Sequence, residues 1–188
     1  EQNDLLTGVC YAYSGNAMVK VAREIIRKGE LGEIINIEGQ YLQEWLIDEL
    51  GGQSETAKLS GWRTDPAVAG GANCVGDIGS HVEHTISYMT GLKIKRLCAK
   101  LGRFDHPLDF CGHIMLEYEN GASGLISCSQ VSIGHQNDLA VRIFGTDGSL
   151  EWHEEHADEL VFCKKGDAPR TLTRNAGYLH YDAAAWAR

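Results

Sequence analysis

The chain has 188 residues, of which 43% are hydrophobic, and a formal net charge of −9; these values suit one ordinary globular domain with its own core and leave little room for a second. The acidic balance, without a cluster of Lys and Arg, argues against a nucleic-acid surface, because phosphate binding depends on such clusters. No apolar run is long enough to cross a membrane and the first residues carry no secretory signal, so we expect a soluble, cytoplasmic protein with no membrane partner.

The first predicted elements are a strand, a helix and a second strand. Residues Gly8 to Tyr13 form a short strand-like run. From Ala17 to Lys28 the apolar residues recur at helical spacing, and Gly29 ends the helix. A strand from Ile34 to Trp45 follows. The next segment, Ile47 to Ala69, is polar and lacks clear periodicity, so we expect a long irregular excursion of the kind that often carries binding residues.

The segment Gly70 to His84, GGANCVGDIGSHVEH, joins a glycine-rich turn to the start of a helix. Apolar residues then recur at helical spacing until Gly91 ends the run. Asp77 is a good N-cap and His81 follows about one turn later, so both side chains are expected on one face near the helix N-terminus. An acid and an imidazole at this spacing suit proton transfer, since a His of near-neutral pKa can accept a hydroxyl proton.

Strands dominate the remainder of the chain. The predicted strands cover Ile94 to Leu101, Cys111 to Tyr118, Ala122 to Val131, Leu139 to Phe144, Ser149 to Trp152 and Leu160 to Cys163. Asn120-Gly121 and Asp147-Gly148 each separate two such runs and favour the tight turns of antiparallel hairpins. We therefore predict an α+β fold with an open, mostly antiparallel sheet. The helices near Ala17 and Ser80 cover one face, and the other, the open face, is either solvated or buried against another chain.

Two further interpretations of the glycine-rich segment stay open. Asp77 could serve only as a helix cap, with His81 an ordinary half-buried side chain. Alternatively, His81 and His84 lie three residues apart near Asp77, and two imidazoles with a carboxylate could hold zinc. On that hypothesis the protein would be a metal-dependent hydrolase or isomerase.

Several spaced motifs, taken in order, resemble the C-terminal substrate domain of the Gfo/Idh/MocA oxidoreductases, which are NAD(P)-dependent dehydrogenases of sugars and cyclitols. The similarity runs through AREIIRKGELGEIINIEGQY, GWRTDP, GGANCVGDIGSHVEHTISYMTG and NGASGLISCSQVSIGHQNDLAVRIFGTDGSLEW. It implies a fold like the C-terminal domain of glyceraldehyde-3-phosphate dehydrogenase. No GxGxxG follows a strand, so we expect the dinucleotide-binding domain, with its Lys-bearing Glu-Lys-Pro segment, to be missing from this sequence. Residues 1–13 would be a remnant strand of that domain, and residues 14–188 the substrate-binding and oligomerisation domain.

The resemblance also implies catalytic roles. Asp77 aligns with the family's catalytic aspartate and would orient the substrate or tune the imidazole, while His81 would take the hydroxyl proton as hydride leaves to nicotinamide. Trp62 and Arg63 resemble a segment bordering the sugar pocket, and an aromatic face with a guanidinium suits a polyol.

Other polar positions complete the predicted site. The further candidates for substrate binding are Gln43, Gln130 and His180. Asn16 stands where many relatives carry an arginine, and it is the candidate for a cofactor contact. The cofactor would be NAD or NADP, bound mainly by the missing domain, so we expect this chain to be inactive alone. The resemblance also implies a homo-oligomer through the open face. A non-catalytic sensor or scaffold of the same architecture is the alternative.

Overall fold

An eight-stranded sheet organises the chain in the computed structural model, which describes residues 6, 8–51, 57–174, 176, 177, 181 and 182. The strands are β1 Ile34–Leu42, β2 Ile94–Gly102, β3 Cys111–Tyr118, β4 Ser123–Ser129, β5 Asp138–Gly145, β6 Gly148–His153, β7 Glu159–Lys164 and β8 Arg170–Thr173. Their order across the sheet is β2-β3-β4-β1-β5-β6-β7-β8. Only β1 and β4 pair in parallel, and the remaining described pairs are antiparallel. The predicted open, mostly antiparallel sheet is confirmed.

The described helices are α1 Ala17–Arg27, α2 Ala57–Thr64, α3 Pro66–Ala69 and α4 Ser80–Thr90. The apolar sides of α1 and α4 pack on one sheet face, as predicted, and form the core with the strands beneath. Core members from both layers include Met18, Val21, Ile25, Val82, Ile86, Met89, Ile37, Ile126, Val141 and Trp152. None of the described helices combines the length and apolar composition needed to cross a membrane.

Both predicted hairpin turns are confirmed. Asn120 and Gly121 connect β3 to β4, and Gly121 has φ 87°, which glycine adopts without a steric penalty. The Asn120 side chain accepts a hydrogen bond from the Ala122 amide at 3.1 Å. Asp147 and Gly148 lie where β5 turns into β6. These short-range signals therefore fix two of the antiparallel pairings.

The open face remains exposed where the chain is described. Met115 and Leu125 are cross-strand neighbours on this face, 61% and 43% exposed, respectively. In register with them across the sheet lie Glu38, Arg142 and Glu151. Arg142 Nε donates to Glu151 Oε1 at 2.8 Å. The open face is thus a mixed surface of apolar side chains and ion pairs.

The strand predicted over Gly8 to Tyr13 is wrong for this chain. Residues 8–11 have no regular structure, and a 3₁₀ turn covers Ala12–Gly15. A strand needs a neighbouring backbone to hydrogen-bond, and within the described residues this segment pairs with none. Its tyrosines instead pack against the helix that carries His81. The division into residues 1–13 and 14–188 stays a prediction.

The irregular excursion predicted over Ile47 to Ala69 contains helices. A 3₁₀ turn covers Ile47–Gly51, and α2 and α3 follow. Asp65 caps α3 by accepting from the Ala67 amide at 2.9 Å, and Pro66 occupies the first helical position. This local capping forms a helix too short to show a hydrophobic period. The edge strand β8 was not predicted either, because it has four residues and buries only Leu172.

Candidate active site

The helix that carries the predicted acid and base begins with a π-helical turn. Residues Val75–Gly79 form this turn and continue directly into α4. Such turns widen a helix locally and often occur at functional sites. Asp77 lies inside the turn, and its amide donates to the Asn73 carbonyl at 2.7 Å. The interpretation of Asp77 as a helix cap is therefore wrong, because the helix starts before it.

The cap comes from a residue distant in sequence. Asp109, in the connection between β2 and β3, accepts from the Asn73 amide at Oδ1 (2.9 Å) and from the Val75 amide at Oδ2 (2.7 Å). Its backbone carbonyl accepts from the Cys74 amide at 3.1 Å. Asp109 is only 1% exposed. Sequence analysis missed this residue because a cap supplied across more than thirty positions leaves no local pattern.

The Asp77 carboxylate is held by Gln130. The Gln130 side-chain amide donates to Asp77 Oδ2 at 2.9 Å. Gln130 is fully buried, and its main chain bonds to Phe110 and Leu46. The structure thus places Gln130 behind Asp77 rather than on the cavity wall. Its Oε1 atom is buried and has no hydrogen-bond partner within the described residues.

His81 is half-buried among aromatic rings. The rings of Tyr11 and Tyr13 each lie edge-on to it, with centroids 5.2 Å away. Burial disfavours the imidazolium and lowers the pKa of His81; the Asp77 carboxylate opposes this shift, and His84 adds to it. Burial therefore favours the neutral imidazole, which is the form that can accept a proton.

His84 does not join His81 and Asp77 in a metal site. Its ring stacks on Tyr11 with centroids 4.3 Å apart and planes at 11°. In the part of the chain that the structure describes, no three His, Cys, Asp or Glu side chains are grouped as metal ligands. The ligand set required by the metal-dependent alternative is not assembled there.

Two adjoining cavities meet at Asp77. One, of about 300 Å³, is lined by Tyr41, Gln43, Trp45, Arg63, Asp77, Ile78 and His81. The other, of about 420 Å³, is lined by Trp62, Arg63, Asn73 and Asp77 together with small residues of the glycine-rich turn. Each volume lies within the range of roughly 300–1,000 Å³ typical of small-ligand sites. A larger cavity, of about 620 Å³ along α1, contains neither Asp77 nor His81.

Arg63 lies between two tryptophans where the cavities join. Its guanidinium carbon is 4.8 Å from the ring centroid of Trp62 and 5.5 Å from that of Trp45. Trp62 is 56% exposed. An exposed aromatic face beside a guanidinium can stack on a sugar ring and bond its hydroxyls. The structure therefore places Trp62, Arg63, Asp77 and His81 around these two adjoining cavities, and their roles in binding and catalysis stay predictions.

Gln43 belongs to a polar network on the cavity wall. Its Nε2 donates to Asn137 Oδ1 at 3.2 Å, and its Oε1 accepts from Trp45 Nε1 at 3.0 Å. The Tyr41 hydroxyl also donates to Asn137 Oδ1 and lies 2.5 Å from the Tyr13 hydroxyl. Burial, then the bond to Tyr13, raises the pKa of Tyr41, so it stays protonated. Sequence analysis did not identify Asn137 as part of this network.

Asn16 and His180 are the remaining predicted positions. Asn16 lies between the 3₁₀ turn and α1, outside the residues that line either cavity. His180 lies outside the residues that the structure describes. Their roles stay predictions.

Comparison with protein families and curated proteins gives consistent matches. A family model described as the GFO/IDH/MocA C-terminal domain matches residues 19–151. The uncharacterized oxidoreductase YfiI of Bacillus subtilis is 32% identical over 183 residues, covering 95% of this chain and 46% of that protein. The levoglucosan dehydrogenase of Pseudarthrobacter phenanthrenivorans is 28% identical over 177 residues, covering 81% of this chain and 43% of the enzyme. The chain thus spans less than half the length of these relatives.

Solved structures resemble the fold closely. An inositol dehydrogenase homolog from Azotobacter vinelandii, complexed with NAD+, matches with a TM-score of 0.87 and 35% identity, over 97% of this chain and 47% of that one. A structure of an inositol dehydrogenase homolog from the same organism, complexed with NADH and myo-inositol, has a TM-score of 0.83 and 31% identity, over 97% and 46% of the respective chains. These proteins carry the same sheet and helices in a chain about twice as long.

Proposed function

The chain belongs to the GFO/IDH/MocA family as its C-terminal domain, and we propose that it is the substrate-binding and proton-transfer half of a dehydrogenase that oxidises a hydroxyl of a sugar or cyclitol with NAD or NADP. The observation that carries the proposal is that the His81 ring lines a polar cavity beside Asp77, where burial lowers the pKa of the imidazole. The myo-inositol complex and the levoglucosan dehydrogenase among the similar proteins support this substrate class.

The residues present fit the substrate side of such a reaction. Three buried polar atoms lack partners within the described chain at or behind the cavities: Asn73 Nδ2, His81 Nδ1 and Gln130 Oε1. Unpartnered buried polar groups are costly, and a hydroxylated ligand could satisfy those that it reaches. The dinucleotide-binding domain and its polarising Lys lie outside this sequence on this proposal, and Asn16 is the candidate for a cofactor contact from this chain. A bound nicotinamide would accept the hydride.

The chain's own residues supply the proton transfer. His81 takes the proton of the reacting hydroxyl, so the oxygen's electrons form the carbonyl as hydride leaves the carbon. Asp77, held by Gln130, orients the hydroxyl and stabilises the imidazolium that results. Gln43 and Arg63 bond the remaining hydroxyls, and Trp62 stacks on the ring. This chain alone is expected to be inactive, because on this proposal the nicotinamide is bound mainly by residues outside it.

The test is turnover by the full-length protein with a panel of sugars and cyclitols, using NAD+ and NADP+ in turn. Formation of reduced nicotinamide with a polyol supports the proposal. No turnover with any of them overturns it.

The oxidation rate should depend on the protonation of His81. Because burial lowers its pKa from the usual 6.5, the acid limb of kcat/KM should have its midpoint below pH 6.5. Activity should be retained above that midpoint and fall as the pH drops through it, since the imidazolium cannot accept a proton. The measurement is a pH profile of kcat/KM. A His81→Gln variant that kept the same limb would contradict this assignment.

Trp62 should contribute to substrate affinity more than to chemistry. We expect Trp62→Ala to raise KM for the polyol about tenfold with a smaller change in kcat, since ring stacking contributes roughly 0.5–1.5 kcal/mol. Trp62→Phe keeps an aromatic face and should lose less. The measurement is steady-state kinetics in which the polyol and the nicotinamide are varied in turn, giving kcat and a KM for each. An increase in KM for the nicotinamide alone would assign Trp62 to the cofactor instead.

We also propose that the open face joins copies of the chain. Met115 and Leu125 are exposed there beside the Arg142–Glu151 pair, a composition that suits an interface. Light scattering should give a homo-oligomer, and a monomer at high concentration would count against it.

A further inference from the structure

We propose that Asp109 is a positioning residue, which fixes the turn carrying Asp77 and thereby the geometry of Asp77 and His81. The proposal rests on the proposed function for its kinetic test. Asp109 lines neither cavity. It lies in the connection between β2 and β3, more than thirty positions after Asp77 in the sequence.

Three successive amides bind this one residue. The amides of Asn73 and Val75 donate to the two carboxylate oxygens, and the amide of Cys74 donates to the Asp109 carbonyl. These are the donors that the start of a helix leaves without partners. Asp109 is 1% exposed, so its carboxylate accepts these bonds away from bulk solvent. The helix start is thus fixed by a single buried side chain and its own backbone.

The fixed turn runs directly into the reacting residues. The π-helical turn starts at Val75, whose amide donates to Asp109, and Asp77 follows two residues later. Val75 presses on β3 so closely that a Cβ added at Gly112 would lie 2.4 Å from Val75 Cγ2. Val75 therefore packs directly on the backbone of Gly112, and the turn cannot move toward β3 at this point.

A second attachment holds Asp77 from the same side. The Gln130 side chain donates to the Asp77 carboxylate, and the Gln130 backbone amide donates to the Phe110 carbonyl at 2.9 Å. Phe110 directly follows Asp109, so both attachments originate at the same strand ends. The π-helical turn and the Asp77 carboxylate are therefore both attached to the segment Asp109–Phe110, at the start of β3. We expect the loss of Asp109 to release the turn while the Gln130 bond still holds the Asp77 carboxylate, so that the position of Asp77 relative to His81 changes.

The test uses Asp109→Asn and Asp109→Ala in the full-length protein. Asn keeps one acceptor oxygen of the two, and Ala keeps neither. We expect kcat to fall about tenfold for Asn and about 100-fold for Ala, with smaller changes in KM, because misplacing reacting groups by about an ångström costs that much. Equal kcat in folded Asp109→Ala and wild-type protein overturns the proposal.

Two controls separate positioning from stability. Phe162→Leu creates a cavity in β7, where the side chain is fully buried and remote from α4, so it should lower the melting temperature with kcat unchanged. Asp65→Ala removes the exposed side-chain cap of α3, a helix that carries neither Asp77 nor His81, and should leave the pKa of His81 unchanged. If Phe162→Leu lowers kcat as much as Asp109→Ala at matched stability, the effect is general and the proposal fails.

A second readout does not need turnover. Releasing the turn should expose His81 to water, and its NMR-titrated pKa should then rise toward the usual 6.5 in Asp109→Ala. The groups facing that ring are Asp77, His84 and the tyrosines at 11, 13 and 41, and none is altered in the variant. If no polyol is oxidised, the proposed function fails, and this titration still decides: an unchanged pKa overturns the positioning role and a raised one supports it.

Discussion

Replacing His81 with alanine in the full-length protein is expected to lower kcat/KM for polyol oxidation by about 10²- to 10⁴-fold, the usual contribution of a general base. In the proposed function the imidazole on the wall of the smaller cavity accepts the proton, and burial, which lowers the pKa of His81, favours its neutral form. Without it the hydroxyl proton must pass to water as hydride leaves. Steady-state kinetics gives the loss, and circular dichroism confirms that the variant is folded.

The matched control is His156→Ala. His156 is exposed on a 3₁₀ turn after β6, away from both cavities, so its removal should leave kcat/KM unchanged. Added free imidazole should restore part of the activity of His81→Ala and have no effect on the control. A fully active His81→Ala enzyme would remove His81 from the mechanism.

The second large effect is expected from Gly39→Val. Gly39 lies on β1 directly beneath α4, and a Cβ there would lie 2.4 Å from Val82 Cγ1 and 3.0 Å from Ile86 Cδ1. Because α4 cannot approach the sheet past a side chain, the helix must move outward. We expect a loss of about 1–3 kcal/mol in the free energy of unfolding, or more for a branched side chain. Val82 adjoins His81, so kcat should fall as well.

Urea unfolding and steady-state kinetics measure the two effects of Gly39→Val. Gly15→Ala is the control, because an added Cβ there meets no atom within 4 Å. Wild-type stability in Gly39→Val would show that α4 does not rest on β1 as described.

Local patterns predicted most of the scaffold. The helix over residues 17–27 follows from apolar spacing, and its core positions Met18, Val21 and Ile25 are fully buried. The hairpin at Asn120-Gly121 follows from residues that accept positive φ. The strand Cys111–Tyr118 was predicted with both its ends, and the ends of the other predicted strands in the sheet differed by at most three residues, because hydrogen-bond partners, rather than side-chain type, decide where pairing stops.

Long-range contacts decided what the sequence did not predict. Asp109 caps a helix that begins more than thirty residues earlier, and Asn137 reaches Tyr41 and Gln43 across the sheet. No spacing rule connects such positions before the fold is known. The proximity of Asp77 and His81 was predictable because they share one helical segment. Gln130 was identified as polar and near the site, but its burial behind Asp77 follows only from the packing of β4 against the π-helical turn.

The central claim is tested most directly by following the hydrogen that leaves the substrate. The full-length protein would be given a polyol deuterated at its carbinol carbons, and the reduced nicotinamide analysed by mass spectrometry for wild type and His81→Ala. We predict that wild type transfers deuterium to the nicotinamide and that His81→Ala transfers it far more slowly. Reduced nicotinamide without deuterium, or transfer at the wild-type rate in the variant, would contradict the assignment of this cavity as a dehydrogenase site.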